Sequence, residues 1–367
     1  MAKPKFAVIG AGCGGQTYAG HLASEGYDVS MYNRSQERIN GLENTKTISL
    51  DGKLTQEGRI TLATTNLEQA VEGRDVLVVV TPATGHNEIS KNVTPYLHDG
   101  QVIVLSPGRT FGGLEFSNNI AQQRPDLDVT VCETNTLPYA TRVTEPGKAK
   151  VFGVKNTVAL AALPNHRTGE VVETLNEFYP AFAPAESFLE TSVGNIGAVF
   201  HPTILLLNYD KIQKGEPFEF YTEGASRKVV EHMEGVDNER QEIARKLGVK
   251  IPTLSEWLVD RYGLKQKGLY EMLKNNPVYA GIMAPTTTDH RYIHEDVSTG
   301  LVPLSLTAEA MGIQTPYMDS LINTANSINQ TDYWKKGRTL EKMGLDKNHV
   351  VEQLKEIVSK RDCRRAA

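Results

Sequence analysis

Gly10, Gly12 and Gly15 stand in the run Phe6-Ala7-Val8-Ile9-Gly10-Ala11-Gly12-Cys13-Gly14-Gly15, directly behind a short apolar stretch. The spacing is G-x-G-x-x-G. The first glycine permits a tight strand-to-helix turn, the second lets backbone approach a diphosphate, and the third lets the helix pack closely on its strand. The first amides of that helix then face an anion. Residues 5–9 read as a buried strand, 16–25 as a helix ending at Gly26, and 28–32 as a second strand. A glycine-rich turn in some other α/β protein is the plain alternative. Three elements in line favour a dinucleotide site, with Gly10, Gly12, Cys13, Gly14 and Gly15 around the pyrophosphate.

The end of the second strand bears on which dinucleotide. Enzymes that use NAD usually place Asp or Glu there to bind the ribose hydroxyls. This chain has Tyr32-Asn33-Arg34-Ser35, with Arg38 one turn on. A carboxylate would repel a 2′-phosphate, whereas Asn33 and Ser35 can hydrogen-bond to it and Arg34 can neutralise it. The pattern favours NADP. An ordinary solvated helix start, with NAD bound regardless, is the alternative.

Further strands are expected at 76–80, before Thr81-Pro82-Ala83, at 101–105, before Ser106-Pro107-Gly108, and at 129–132, before Glu133-Thr134. In a doubly wound parallel sheet these ends share one edge, where Thr81 and Pro82 would meet the nicotinamide half of the cofactor. Residues 151–154 and 158–163 read as two closing strands, and 167–178 as a helix. After Pro184 the period becomes 3.6, with helices expected near 189–213, 225–247, 254–262, 304–311 and 317–328. Thr253-Leu254-Ser255-Glu256 is a capping box, and Gly248, Gly263 and Gly312 are stops.

With 367 residues there is material for two domains. The expected division is a Rossmann-type α/β dinucleotide-binding domain over 1–185, an all-α substrate domain over 186–360, and a short basic tail at 361–367 expected to be disordered. A substrate cleft is expected between the domains. A net charge of −5 gives no electrostatic reason to expect nucleic acid or an anionic membrane as partner. Lys3-Pro4-Lys5 runs straight into strand, so no leader is expected, and the default location is cytoplasmic. Cys13, Cys132 and Cys363 are scattered, forming neither a disulfide framework nor a metal cluster.

His201 has the most suggestive surroundings of any histidine. Gly194, Gly197 and Ala198 lie seven, four and three residues before it, positions that share its face on a continuous helix. The imidazole would then hang over a floor almost without side chains, and Pro202 would kink the helix there. Either this floor admits a small acid or flat ring, or the glycines mark a close helix crossing with His201 as a core residue. Residues 289–303, Asp289-His290-Arg291-Tyr292-Ile293-His294-Glu295-Asp296-Val297-Ser298-Thr299-Gly300-Leu301-Val302-Pro303, hold a second constellation. Arg291 matches a carboxylate, and Asp296 can take one imidazole N–H so that the other nitrogen faces substrate. A polar loop is the plain alternative. A metal site at His290 and His294 is disfavoured, because the Thr-rich approach and the Val-Ser-Thr-Gly exit argue against an aligning helix. Thr141-Arg142 follow a strand end, where Arg142 is either a second carboxylate partner or a surface residue. His86, just beyond Thr81-Pro82-Ala83, either approaches the cofactor or, as is expected, stands at an exposed helix start, and Arg109, after Pro107-Gly108, is similarly open.

The glycine fingerprint, Gly194-Asn195 to His201-Pro202, His294 to Pro303, and Gly337-Arg338-Thr339-Leu340-Glu341-Lys342 together resemble the octopine/nopaline (opine) dehydrogenase family, and its bacterial norvaline-type members in particular. The likeness spans nearly the whole chain. It implies a helical domain of the 6-phosphogluconate dehydrogenase C-terminal type and an NAD(P)-dependent oxidoreductase acting on CH–NH bonds. It also implies joining of an amino acid's amino group to a 2-oxo acid such as pyruvate, with reduction of the imine. Carried over, His201 is the catalytic histidine, Asp296 its carboxylate partner and Arg291 the substrate-carboxylate arginine. Asn195, Thr141 and Arg142 are substrate-side candidates, and a homodimer is implied. Two departures stand out. The norvaline-type relatives resemble NAD enzymes with an acid where this chain has Asn33, and several relatives have cysteine where it has Thr141. Two rivals share the plan: a reductase of a single 2-oxo or 3-hydroxy acid, and a non-catalytic NADP sensor.

Overall fold

The computed structural model describes residues 3–359. The tail expected at 361–367 lies outside them. Twelve strands form: β1 (Phe6–Ile9), β2 (Val29–Tyr32), β3 (Thr47–Gly52), β4 (Gln56–Arg59), β5 (Leu62–Thr64), β6 (Val76–Val79), β7 (Val102–Leu105), β8 (Thr130–Thr134), β9 (Tyr139–Glu145), β10 (Lys148–Val154), β11 (Val158–Leu163) and β12 (Phe182–Pro184). Eight make one sheet in the order β12-β11-β8-β7-β6-β1-β2-β5. The six from β5 to β8 are mutually parallel, which requires crossovers and leaves both faces to be covered. The near-continuous apolar runs Phe6-Ala7-Val8-Ile9 and Val76-Leu77-Val78-Val79 are accordingly buried along their whole length.

Ile9 lies opposite both Tyr32 and Val79, so β1, β2 and β6 end at one level. The glycine loop, Asn33 and Thr81 thereby share an edge. Gly10 sits at φ +111°, where a Cβ would come 2.7 Å from the Val80 carbonyl oxygen. At Gly15 a Cβ would fall 1.7 Å from the Gly10 carbonyl oxygen, so the Cys13–Ser24 helix can start this close only with glycine there.

Closure differs from the sequence expectation. β11 closes the main sheet antiparallel to β8, whereas residues 151–154 belong to β10 in a second sheet of order β4-β3-β10-β9. Pro146-Gly147 makes the turn from β9 to β10, with Gly147 at φ +86°. This sheet packs on the Cys13–Ser24 helix. Gly58 of β4 meets Gly20 so closely that a Cβ would lie 2.1 Å from the Gly20 carbonyl oxygen.

The chain divides after Thr191, the second unit running over Ser192–Lys355. That unit is helical. Helices Arg227–Leu247 and Leu254–Tyr262 end at Gly248 and Gly263 in left-handed geometry, and the Thr253–Glu256 capping box is present. Buried Arg240 pairs with Asp237 at 2.6 Å and reaches the Val193 and Pro252 carbonyls, while Asp237 accepts the Leu254 amide. No helix of the described residues is long and apolar enough to cross a membrane.

Two expectations in this unit fail. Residues 189–213 are three helices, Phe188–Val193, Gly197–Leu207 and Tyr209–Gln213, so Gly194 lies outside the helix of His201. Glycine beside Asn195 breaks the first of them, whereas Pro202 leaves the Gly197–Leu207 helix continuous. Residues 289–303, whose Thr-rich approach and Val-Ser-Thr-Gly exit argue against a helix, are largely helical: Arg291–Asp296 runs into a π-turn over Val297–Leu301 and then into Val302–Ala310.

Candidate active site

In the first unit a cavity of about 560 Å³ opens above the strand ends. Gly10, Gly12, Cys13, Asn33, Arg34, Ser35, Thr81 and Pro82 line it; Gly14 and Gly15 lie in the helix start behind. A Cβ on Gly12 would meet nothing within 4 Å, so the glycine leaves open space at the helix N-terminus. That helix has no side-chain cap and no acid in its first turn, which suits an incoming diphosphate. The residues fit a dinucleotide.

The ribose end is arranged differently from the sequence expectation. Asn33 Oδ1 accepts the Ala11 amide at 3.0 Å, and Asn33 Nδ2 donates to the Ser35 carbonyl at 2.8 Å. Asn33 therefore braces the glycine loop. Arg34 is paired with Glu88 at 3.2 Å, both exposed, and Glu88 and Arg38 line the same cavity. His86 is fully buried at the head of the His86–Val93 helix, not exposed.

Thr141 and Arg142 lie inside β9, not after a strand. Thr141 shares a hydrogen bond with Thr17 at 2.8 Å and donates to the Lys150 carbonyl at 3.1 Å. Arg142 is exposed. Arg109 follows the Pro107-Gly108 turn in left-handed geometry at φ +62°.

In the second unit, His201 Nδ1 lies 2.7 Å from Asp296 Oδ2, and the Asp296 side chain is fully buried. A carboxylate accepts, so Nδ1 carries the proton and Nε2 presents its lone pair. Nε2 is 3.1 Å from the Tyr221 hydroxyl, and Tyr292 stacks on the imidazole at 4.0 Å and 16°. The expected bare floor is absent. Ala198 is used instead in a helix crossing, since a Cβ on Gly300 would come 2.6 Å from the Ala198 Cβ. His201 still keeps 17% side-chain exposure.

Small residues bring the two helices together, and the π-turn follows Asp296 directly. Its widened geometry has local causes: the Ser298 and Thr299 hydroxyls donate back to the His294 and Glu295 carbonyls. Gly337 closes on it from outside, where a Cβ would lie 2.8 Å from the Ser298 carbonyl oxygen, and the Arg338 amide donates to that same oxygen. The Gly337-Arg338 motif thus packs on the π-turn that follows Asp296. Asn195, also buried, points its amide toward Gly300, its Nδ2 3.5 Å from where a Cβ there would sit.

Arg291 donates to buried Glu295 through Nε at 3.2 Å and Nη2 at 2.8 Å, while its side chain stays 58% exposed. His290 caps its helix, accepting the Tyr292 amide, and burial lowers its affinity for a proton. His294 uses both nitrogens, toward Asp289 at 2.6 Å and the Tyr333 hydroxyl at 2.7 Å. Among the described residues no group of three or more His, Cys, Asp or Glu is placed to hold a metal ion. Sequence reasoning missed Tyr221. Its one signal was the aromatic run Phe218-Glu219-Phe220-Tyr221 between helices.

Residues 5–129 match the model of the NAD-dependent glycerol-3-phosphate dehydrogenase N-terminus, and residues 184–329 that of the NAD/NADP octopine/nopaline dehydrogenase, alpha-helical domain. A dinucleotide-binding sheet unit followed by this helical unit defines a two-domain nicotinamide-dependent dehydrogenase. The opine dehydrogenase of Arthrobacter sp. (strain 1C) is 36% identical over 341 residues, 93% of this chain and 95% of that one. Vitopine synthase of Allorhizobium ampelinum is 28% identical, covering 93% and 95%. The chain belongs to the opine dehydrogenase family. It is an NAD(P)-dependent oxidoreductase acting on CH–NH bonds, and its reaction is the reductive condensation of a 2-oxo acid with the amino group of an amino acid. Several solved structures share the fold. Octopine dehydrogenase with NADH and L-arginine gives a TM-score of 0.82 at 22% identity, over 98% of this chain and 99% of that one. Yersinopine dehydrogenase with NADP+ bound gives 0.75 at 17%, over 96% and 98%.

Proposed function

We propose that this enzyme prefers NADPH, takes a small 2-oxo acid of the pyruvate type, and uses His201 with Asp296 to move protons during condensation. Gly10, Gly12, Cys13 and Thr81 would hold the dinucleotide, with Arg34, Ser35 and Arg38 at the 2′-phosphate. Arg34 must then exchange Glu88 for the phosphate, an exposed pair that costs little to open. When bound, the reduced cofactor supplies hydride.

An amino acid reaches the site mainly as an ammonium ion, which cannot attack a carbonyl. The His201 imidazole, neutral at Nε2, takes the proton, and the buried Asp296 carboxylate stabilises the resulting charge. The same proton returns to the carbinolamine hydroxyl, which leaves as water and yields the protonated imine that accepts hydride. Arg291 supplies a cation for substrate carboxylate, with Glu295 fixing its direction, and Asn195 borders the site. The 2.7 Å His201–Asp296 contact carries this reading. A reducing, cytoplasmic setting accords with free Cys13 and Cys132. The family resemblance supports a homodimer.

The test is a matrix of oxo acids and amino acids followed by NADPH and NADH absorbance. Oxidation should require both substrates and run faster with NADPH. Turnover of an oxo acid with no amine present would instead establish a simple 2-oxo acid reductase.

A further inference from the structure

His201 has two ring nitrogens, and both are engaged. Nδ1 donates to Asp296, so Nε2 accepts, and the group donating to it is the Tyr221 hydroxyl at 3.1 Å. Tyr292 lies flat against the ring at 4.0 Å. A proton bound for Nε2 must arrive in the ring plane, along the direction the phenol oxygen occupies.

Tyr221 is held too firmly to be a swinging gate. Its ring stacks on Tyr279 at 4.2 Å and 19°, while Phe220 and Phe200 meet it edge-on at 4.9 and 6.2 Å. Tyr279 is braced in turn by Tyr262 at 5.4 Å. Substrate displacing the phenol would break this stack. Substrate using it would not.

Resting on the His201 reading above, we propose that the Tyr221 hydroxyl is the group that touches substrate and passes its proton to His201, so that Asp296, His201 and Tyr221 act in series. As the substrate ammonium N–H bond breaks, a new O–H forms on Tyr221. The original Tyr221 O–H breaks as Nε2–H forms. One proton moves from ammonium to imidazole and tyrosine ends neutral. The reverse transfer delivers the proton to the carbinolamine oxygen, whose C–O bond pair departs with water.

The surroundings keep this phenol neutral. Burial, with Tyr292, Tyr262 and Asp296 facing it, pushes its ionisation well above the ordinary tyrosine range. A standing phenolate is thereby disfavoured, and transfer through the oxygen must be concerted. The other titratable groups around the pair are Tyr279 on the far face of Tyr221 and His290 on the His201 side.

The experiment compares the full-length wild type, Tyr221→Phe, and the protein carrying the more acidic 3,5-difluorotyrosine at position 221, measuring kcat across pH and NAD(P)H affinity by fluorescence. Tyr221→Phe should lose at least about tenfold in kcat with cofactor affinity retained. The fluorinated protein, which keeps the ring and hydroxyl, should recover kcat well above that of Tyr221→Phe, with a solvent deuterium isotope effect that differs from wild type because the phenol's proton affinity has changed. A kcat within twofold of wild type for Tyr221→Phe, or a solvent isotope effect unchanged by fluorination, overturns the relay. Either result alongside an inactive His201→Ala removes Tyr221 alone and leaves the His201–Asp296 assignment standing.

Discussion

Asp296 is sealed from solvent and lies 2.7 Å from His201 Nδ1, on a helix held against that of His201 by Gly300 and Ala198. The carboxylate fixes which nitrogen is basic. Asp296→Asn keeps the size of the group, but its amide can turn an N–H toward Nδ1 and invert the tautomer. It should lower kcat by about 10²- to 10⁴-fold while the Kd for NAD(P)H stays within about twofold. Steady-state kinetics with a parallel fluorescence titration check both.

Gly300→Ala attacks the same relationship through packing. The added Cβ would sit 2.6 Å from the Ala198 Cβ, so the two helices must separate. A loss of about 1–3 kcal/mol is expected, read as a lower denaturant midpoint with an unchanged slope. Gly300→Ala should also lower kcat by displacing Asp296, whereas Gly312→Ala, at φ +74° with nothing near its Cβ, should destabilise through backbone strain and leave kcat unchanged.

At the cofactor end, Arg34→Ala should weaken NADPH by about 10- to 100-fold and leave NADH nearly unchanged, since only the 2′-phosphate makes a charge-assisted bond there. Glu88→Gln frees Arg34 and should tighten NADPH a few-fold. Fluorescence titration with both nucleotides separates them, and equal effects on the two contradict the 2′-phosphate assignment.

Much of this architecture was legible in the sequence, for identifiable reasons. The glycine loop was readable because Gly10 against the Val80 carbonyl and Gly15 against Gly10 answer contacts that no side chain survives, while Gly12 leaves open space for a ligand. Central strands such as β1 and β6 announce themselves by being apolar on both faces. The second sheet was not readable: β4 is Gln-Glu-Gly-Arg, and its only packing signal is Gly58 on Gly20, distant in sequence. Residues 297–301 look unlike helix because Val, Ser, Thr and Gly are weak helix formers. Tertiary packing on Ala198 and hydroxyl bonds to the preceding turn override that tendency. Asn33 holds the Ala11 amide, a role its residue type suits as well as it suits a phosphate, so the type alone did not reveal it. Tyr221 escaped because a turn residue carries no periodic pattern.

Glu239 provides a pH test of the helical unit. Burial pushes its carboxyl up to about 7, although it accepts the Tyr317 and Met318 amides at the head of the Pro316–Asn329 helix. The folded value lies above that of the unfolded chain, so its contribution is complete below the ordinary carboxylate range and lost as pH rises through about 7. Wild-type stability should fall by up to about 3 kcal/mol between pH 5 and 8 from this group. Glu239→Gln should flatten that slope in thermal or denaturant melts; unchanged slopes would contradict the assignment.

The most direct measurement is kcat for oxo acid and amino acid condensation by His201→Ala, with NADPH affinity measured on the same preparation. Loss of about 10²-fold or more in kcat with an unaltered NADPH Kd is the expected result. A variant that condenses and reduces at the wild-type rate would show that the imidazole beside Asp296 takes no part in the chemistry.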